Sequence, residues 1–342
     1  MKFQVITHKL TFKKPAKTSR NVFEEREVYF IILEENGRKG IGEAAPLSLL
    51  SLDDIPDYKQ QLIHGLEEFV ETRNADVFPV DKLPSMRFGL ETAIHDIKHE
   101  EDFKVFNSSF YSGSPIPING LVWMADIDTM SAEAKLKASM GFNCIKFKVG
   151  AHDFDAECRM IESLRKEYSA FKLDIRLDAN GAFNSDEADE QLRELSRFEI
   201  HSIEQPIKAN QWDDMARLCR NNHIDIALDE ELIGRDIYKV GSSMLDEIKP
   251  QYCIYKPSLH GGFSACDEWI NQCNKRNIGW WATSALESNI GLNAIAQWVA
   301  QYENNLHQGL GTGSLYIDNI DSPLVVARGQ ISYTAKPWKF NH

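Results

Sequence analysis

Apolar and polar residues alternate along "FQVITHKLTF" (3–12), and "REVYFIILEE" (26–35) holds a short continuous apolar run. A period of two places every second side chain on one face, and a short apolar run is a further strand signal, so both stretches predict strands. A polar, basic stretch, "KKPAKTSRNVFEE" (13–25), separates them and is expected to form a loop that acts as a lid. "GRKGIGEAAP" (37–46) adds turn glycines and a short strand. The period then changes: "DYKQQLIHGLEEFVETRN" (57–74) and "SMRFGLETAIHDIKHEED" (85–102) carry apolar positions at helical spacing. Strands followed by helices predict a small α+β capping domain over residues 1–113. "GSPIPING", with two prolines and two glycines, marks its boundary.

From there short apolar runs alternate with amphipathic stretches. The runs are "IPINGLVW", "CIKFKVG", "LDIRLDAN", "IHSIEQP", "DIALDEE", "YCIYKPS", "IGWWATS" and "LHQGLG". Helical segments such as "DAECRMIESLRKEY" and "SDEADEQLRELSRF" lie between them. Eight such units over residues 114–311 predict an α/β fold, a (β/α) TIM-like barrel. The rival is a doubly wound open sheet, which would carry a glycine-rich phosphate fingerprint after its first strand. Neither GxGxxG nor GxxxxGK[ST] occurs. Residues 312–342 end in a further strand pattern, "SPLVVARGQISYTAKPW", expected to return to the capping domain.

The formal net charge of -13 changes what the barrel can be expected to bind. It argues against a nucleic-acid footprint, which needs a basic stripe, and against an anionic membrane surface. No apolar run approaches the roughly 20 residues of a membrane span. A small anionic carboxylate substrate stays possible if its cations are local. The six cysteines show no CxxC pair and predict reduced, mostly buried thiols in a cytoplasmic protein. The sequence leaves the oligomeric state open.

Local cations do occur. Lys148, Asp178, Glu204, Asp229 and Lys256 each end a successive run, at intervals of 30, 26, 25 and 27 residues. In a barrel the C-terminal strand ends converge on one mouth, where active sites of this fold lie. A lone carboxylate at a strand end is more often a solvated residue or a helix N-cap. Five charges in register are harder to assign to chance. Asp178, Glu204 and Asp229 would repel one another unless a cation sat between them, and all-oxygen ligands select Mg²⁺ or Mn²⁺. Lys146 and Lys148, two apart in "CIKFKVG", share one face of a strand. Arg176, two before Asp178, shares the inward face and is expected beside the lysines or the metal ligands. The scattered histidines and the "WW" pair at 280–281 read as structural or surface residues.

"KFKVG", "LDANGAF", "IEQP", "LDEE" and "YKPSLHGG", in that order, resemble the motifs of the enolase superfamily in its muconate-lactonizing subgroup. "TSALESNIGLNAIAQW" and "HQGLGTGSLYIDNIDSP" resemble the o-succinylbenzoate synthase family of menaquinone biosynthesis. That resemblance covers nearly the whole chain. It implies a magnesium-dependent dehydratase with Asp178, Glu204 and Asp229 as metal ligands. Its substrate is a cyclohexadiene carboxylate bearing a succinyl arm and a ring hydroxyl. Lys148 would be the base and Lys146 its cationic neighbour, facing the substrate carboxylate. Lys256 would support the developing ring by a cation–π contact. Asn180 would touch the ligand cluster, and Ser284 would bind the succinyl carboxylate. The alternative on the same scaffold is an N-succinylamino-acid racemase or dipeptide epimerase. Such epimerases carry a DxD near the eighth strand, where this chain reads "GLGTGS". A Schiff-base lyase using Lys256 and a silent binding barrel are the readings from other classes.

Overall fold

The computed structural model describes residues 1–17 and 22–340. Strands β1 (Lys2–Lys17), β2 (Val22–Glu35) and β3 (Arg38–Ala44) form an antiparallel sheet with β2 in the middle. The basic stretch expected as a loop is therefore mostly a hairpin arm. Pairing continues past an irregularity between Thr11 and Ala16 to Lys17↔Val22. Residues 18–21 lie outside the described residues.

β2 shows why this sheet is stable. Its positions Val28 to Leu33 are all buried. Tyr29, Ile31 and Leu33 pack on one side with Leu62, Phe69 and Leu90 from helices α1 (Tyr58–Thr72) and α2 (Pro84–Asp96). Val28, Phe30 and Ile32 face the other way, into a core with Leu10, Leu286, Ile290 and Tyr316. Gly42 on β3 lets α2 come close: a Cβ there would lie 1.9 Å from the carbonyl oxygen of Gly89. Asp53 caps α2, accepting from Ser85 N at 2.8 Å and Met86 N at 3.3 Å.

The rest of the chain alternates. In order come β4 (Ile116–Pro117), β5 (Gly120–Val122), α3 (Ile127–Ser139), β6 (Cys144–Lys148), α4 (Phe154–Glu167) and β7 (Asp174–Asp178). There follow α5 (Ala188–Leu195), β8 (Ser202–Glu204), α6 (Trp212–Asn221), β9 (Ile226–Leu228), α7 (Ser242–Ile248) and β10 (Tyr252–Tyr255). Then come α8 (Gly262–Asn274), β11 (Gly279–Ala282), α9 (Asn289–Val299), β12 (Leu324–Ala327) and β13 (Gln330–Tyr333). Strands β5 to β11 form a curled parallel sheet in sequence order. A doubly wound sheet would reverse its order at a switch point, and this one does not.

The run "LHQGLG", expected as an eighth strand, touches both edges of the curled sheet through single bridges. Gln308 bridges to Ile118 and Gly309 to Thr283. Backbone bonds hold it on both sides, Gln308 N to Pro117 O at 2.8 Å and Gly309 N to Ala282 O at 2.7 Å, and the Gln308 side-chain oxygen Oε1 accepts from Ala282 N at 2.7 Å.

The strand pattern near the C-terminus divides between two neighbours. β12 and β13 join β4 in a small sheet, with Ile331 opposite Ile116. The capping sheet is met by Phe340, whose ring lies 5.1 Å from that of Phe30, and by 315–318, where Ile317 N donates to Thr11 O at 2.9 Å. That contact covers the free edge of β1, which would otherwise expose unpaired backbone groups.

Within the curled sheet, alternation separates packing from charge. Ile145, Phe147, Ile175, Leu177 and Ile203 belong to the large apolar core that includes Ile161 and Leu192 of the helices. The intervening residues are Lys146, Lys148, Arg176, Asp178, Ser202 and Glu204, all buried. A small apolar cluster of Ala227, Ile254 and Trp281 accompanies them.

Candidate active site

Parallel register assembles the charges. Lys148 stands opposite Asp178 and Asp178 opposite Glu204, on adjacent strands. Lys146 Nζ donates to Asp178 Oδ2 at 3.0 Å and to Glu204 Oε2 at 2.7 Å. Lys148 Nζ donates to Asp178 Oδ2 at 2.5 Å and Asn180 Oδ1 at 2.8 Å. Lys256 Nζ pairs with Asp229 Oδ2. All six ionic groups are less than a tenth exposed.

Burial in company sets their ionisation. Burial disfavours a charge on Asp178, but Lys148 and Lys146 outweigh it and hold the carboxyl below its ordinary range. Glu204 goes the other way, to about 8, through burial and then the negative charge of Asp178, against the pull of Lys146. Burial also opposes the charge on Lys146 and Lys256, yet Glu204 and Asp178 raise the first and Asp229 and Glu204 the second. Three carboxylates this close do not all ionise easily without more positive charge.

The residues fit a hard divalent ion. Two buried carboxylate oxygens, Glu204 Oε1 and Asp229 Oδ1, have no hydrogen-bond partner among the described residues. Buried acceptors are rarely left unsatisfied, and a hard divalent cation is a partner that such oxygens take.

A cavity of about 590 Å³ lies above the cluster. Lys146, Lys148, Asp178, Asn180, Asp229 and Lys256 line it from the curled sheet. Lys13, Lys14, Phe23 and residues 47–50 line it from the capping domain. Asn180 sits at φ 48°, in the left-handed region that asparagine tolerates. Its backbone N–H donates to Asp178 Oδ1 at 3.1 Å and its amide to Glu230 Oε1 at 2.9 Å. Gly181 beside it has φ 74°, and a Cβ there would lie 3.0 Å from Lys208 Cα.

Two of the expected residues are engaged with other partners. Arg176 does face inward, but it hydrogen-bonds neither lysine nor carboxylate. Its guanidinium lies 3.8 Å from the Trp281 ring centroid and Nη1 donates to His307 O at 2.7 Å. The side chain extends away from the cluster because the ring offers a face and the carbonyl an acceptor. Ser284 lines the cavity, yet its hydroxyl donates to Glu287 and accepts from Leu286 N and Thr312 Oγ1. It has no donor left for a succinyl carboxylate while that network stands.

The structure gives parts to residues that the sequence reading did not single out. Arg26 of β2 donates from Nη1 to Ala285 O and Leu286 O at 2.7 and 2.6 Å. From Nη2 it reaches Ala45 O and Pro46 O at 2.8 and 3.1 Å. It thereby clamps a capping loop to the loop after β11. Glu43 of β3 accepts from Ser288 N and Gly291 N, both at 2.8 Å, at the N-terminus of α9. Glu287 joins Ser258, two residues after Lys256, to Ser284.

Comparison with known proteins accords with this architecture. Residues 129–337 match the enolase C-terminal domain-like family, and residues 2–97 match the MenC N-terminal domain family. An o-succinylbenzoate synthase from Desulfotalea psychrophila is 42% identical, over 94% of this chain and 95% of that protein. The crystal structure of MenC from the same organism superposes with a TM-score of 0.84 at 38% identity, covering 97% of this chain and 99% of the other. The L-Ala-D/L-Glu epimerase from Bacillus subtilis shares the fold, with a TM-score of 0.84 at 19% identity, over 99% and 96% of the two chains.

Proposed function

The chain belongs to the o-succinylbenzoate synthases of the enolase superfamily, and from that premise we propose how its own residues carry out the dehydration. The reaction of the family removes the proton α to a ring carboxylate, expels hydroxide and leaves an aromatic ring. Asp178, Glu204 and Asp229 would hold a Mg²⁺-class ion, the class of metal that three carboxylates select. When bound, the ion supplies Lewis-acid stabilisation of the second negative charge developing on the substrate carboxylate.

Lys148 takes the α-proton and returns it to the leaving hydroxide. Its position supports this: it reaches the cavity and is held by Asp178 and Asn180. Lys146 is the neighbouring cation facing the substrate carboxylate. Lys256, held by Asp229 on a strand further round the sheet, supports the developing planar ring electrostatically. Lys13 and Lys14 at the cavity rim suit a dicarboxylate. The bridging segment at 308–309 serves as the eighth stave of a (β/α)₈ barrel. Six free, buried cysteines suit a reducing cytoplasm. No helix among the described residues is long and apolar enough to cross a membrane.

The observation that carries this reading is the convergence of three lysines and three carboxylates beneath one cavity, in a chain 42% identical to an o-succinylbenzoate synthase over 94% of its length. The likeness to the epimerase carries the fold alone. The test is an absorbance assay for aromatisation before and after chelation. Activity should disappear with chelator, return with Mg²⁺, and be absent from Glu204→Gln in either state. Near-normal turnover by that variant in chelator would remove the metal site. Inversion of an N-succinylamino acid without aromatic product would move the racemase ahead.

A further inference from the structure

Beyond the proposed active site, the other end of the same strands gathers a different set of donors. Cys144 begins β6 and Asp174 begins β7, and the two are direct register partners. Each lies four residues before a member of the upper cluster, Lys148 or Asp178. At about 3.3 Å per strand residue that is roughly 13 Å away. His307 comes from the segment that bridges the sheet edges. The Cys144 thiol, an Asp174 carboxylate oxygen and a His307 ring nitrogen all lie within 4.8 Å of one another. The closest recorded approach within the set, His307 Nδ1 to Asp174 Oδ2, is 3.6 Å.

We propose that Cys144, Asp174 and His307 form a second cation site, selective for zinc-class ions, at the N-terminal end of the curled sheet. Ligand atoms around a tetrahedral Zn²⁺ stand roughly 3.4–3.8 Å apart, given bonds of about 2.0–2.3 Å, so the trio needs only small side-chain closure. The donor set is a thiolate, an imidazole and a carboxylate. Thiolate and imidazole favour zinc-class ions over Mg²⁺, whereas the upper cluster offers carboxylates alone. The two sites would therefore take different metals. Thiolate and carboxylate together neutralise a dication.

Access and rigidity support the site. Cys144 is fully buried, while Asp174 and His307 are partly exposed and line a surface pocket with Asn143, Phe171 and Leu173. One coordination position would thus face solvent. Asp174 N is fixed by Asn143 O at 2.9 Å. Arg176, the cation lying above this layer, donates to the His307 carbonyl at 2.7 Å and steadies that residue's backbone. A bound ion would tie the segment that bridges Ile118 and Thr283 to β6 and β7 as well.

The test is a cobalt(II) titration of the metal-stripped full chain, followed through the sulfur-to-cobalt charge-transfer band in the near ultraviolet. One equivalent should develop the band in the wild type and in Glu204→Gln, whose upper cluster is impaired. Cys144→Ser should abolish the band. His307→Ala, at a partly exposed position, should weaken binding at least tenfold and should carry the test if the buried serine variant does not fold. Zinc should raise the thermal midpoint of the wild type and not of His307→Ala. No band, a band that persists in Cys144→Ser, or a band lost in Glu204→Gln would overturn the proposal. So would binding at millimolar cobalt only that is indifferent to His307→Ala and Asp174→Asn, the signature of an adventitious ion.

Discussion

Strand β2 of the capping sheet and strand β6 of the curled sheet are both buried on both faces, yet they spend that burial differently. β2 sends Phe30 and Ile32 into one apolar core and Ile31 and Leu33 into another. β6 sends Ile145 and Phe147 outward to the helices and Lys146 and Lys148 inward to three carboxylates. Burying a charge is expensive unless partners compensate it. A strand that carries two lysines on its buried inner face therefore marks chemistry, and a strand apolar on both faces marks packing. Two buried aspartates show the same division. Asp178 keeps its charge because two ammonium groups outweigh its burial. Asp96, on α2, is met by backbone N–H groups such as Ile41 N at 2.8 Å rather than by a cation, and burial pushes its carboxyl up to about 7.

The largest expected effect tests the chemical strand. Lys148→Ala should lower both α-proton exchange and aromatic product by at least about 10²-fold, the lower end of what general base catalysis contributes. Exchange and dehydration are to be measured at a temperature where the variant is folded. Rapid turnover would break the contrast at its centre.

Phe30→Ala tests the packing strand. It should lower stability by about 3–5 kcal/mol, read from the denaturant midpoint, while activity per folded molecule stays near the wild-type value. A variant that is stable but inactive would show that β2 serves the chemistry directly.

The smallest effect concerns pH. The folded-state pKa of Asp96, about 7, exceeds the unfolded value of about 3.9. The folded protein thus holds a proton that the unfolded chain releases. The stability from this group is complete below about pH 4 and is lost as pH rises through about 7. Asp96→Asn should flatten the fall of thermal midpoint between about pH 4 and 7. Equal slopes in variant and wild type would remove Asp96 from the account.

Much of the architecture was legible because periodicity is a local property. The change from period two to helical spacing, and the charges ending successive runs, depend only on neighbours along the chain. Lys146, Lys148, Asp178, Glu204, Asp229 and Lys256 could be named together because a strand's C-terminal end has one place in a parallel sheet. The direction of Arg176 could not be read, since it depends on where Trp281 and the His307 carbonyl arrive. Gln308 was equally opaque: its side-chain oxygen accepts from Ala282 N, a partner that the pattern of its run does not predict.

Arg26 and Glu43 gave no signal, because a single buried polar group has no period and their partners Ala285 and Ser288 lie far along the chain. Cys144, Asp174 and His307 stood in the sequence as an unremarked thiol, a strand-start acid and a scattered histidine. Sequence by itself determined which segments become strands and helices and which strand ends carry charge, because hydrophobic spacing acts within a few residues. Only the tertiary structure decided which buried polar group meets which, because a hydrogen bond or a metal ligand set requires atoms within a few ångströms, and folding brings them there from segments more than a hundred residues apart.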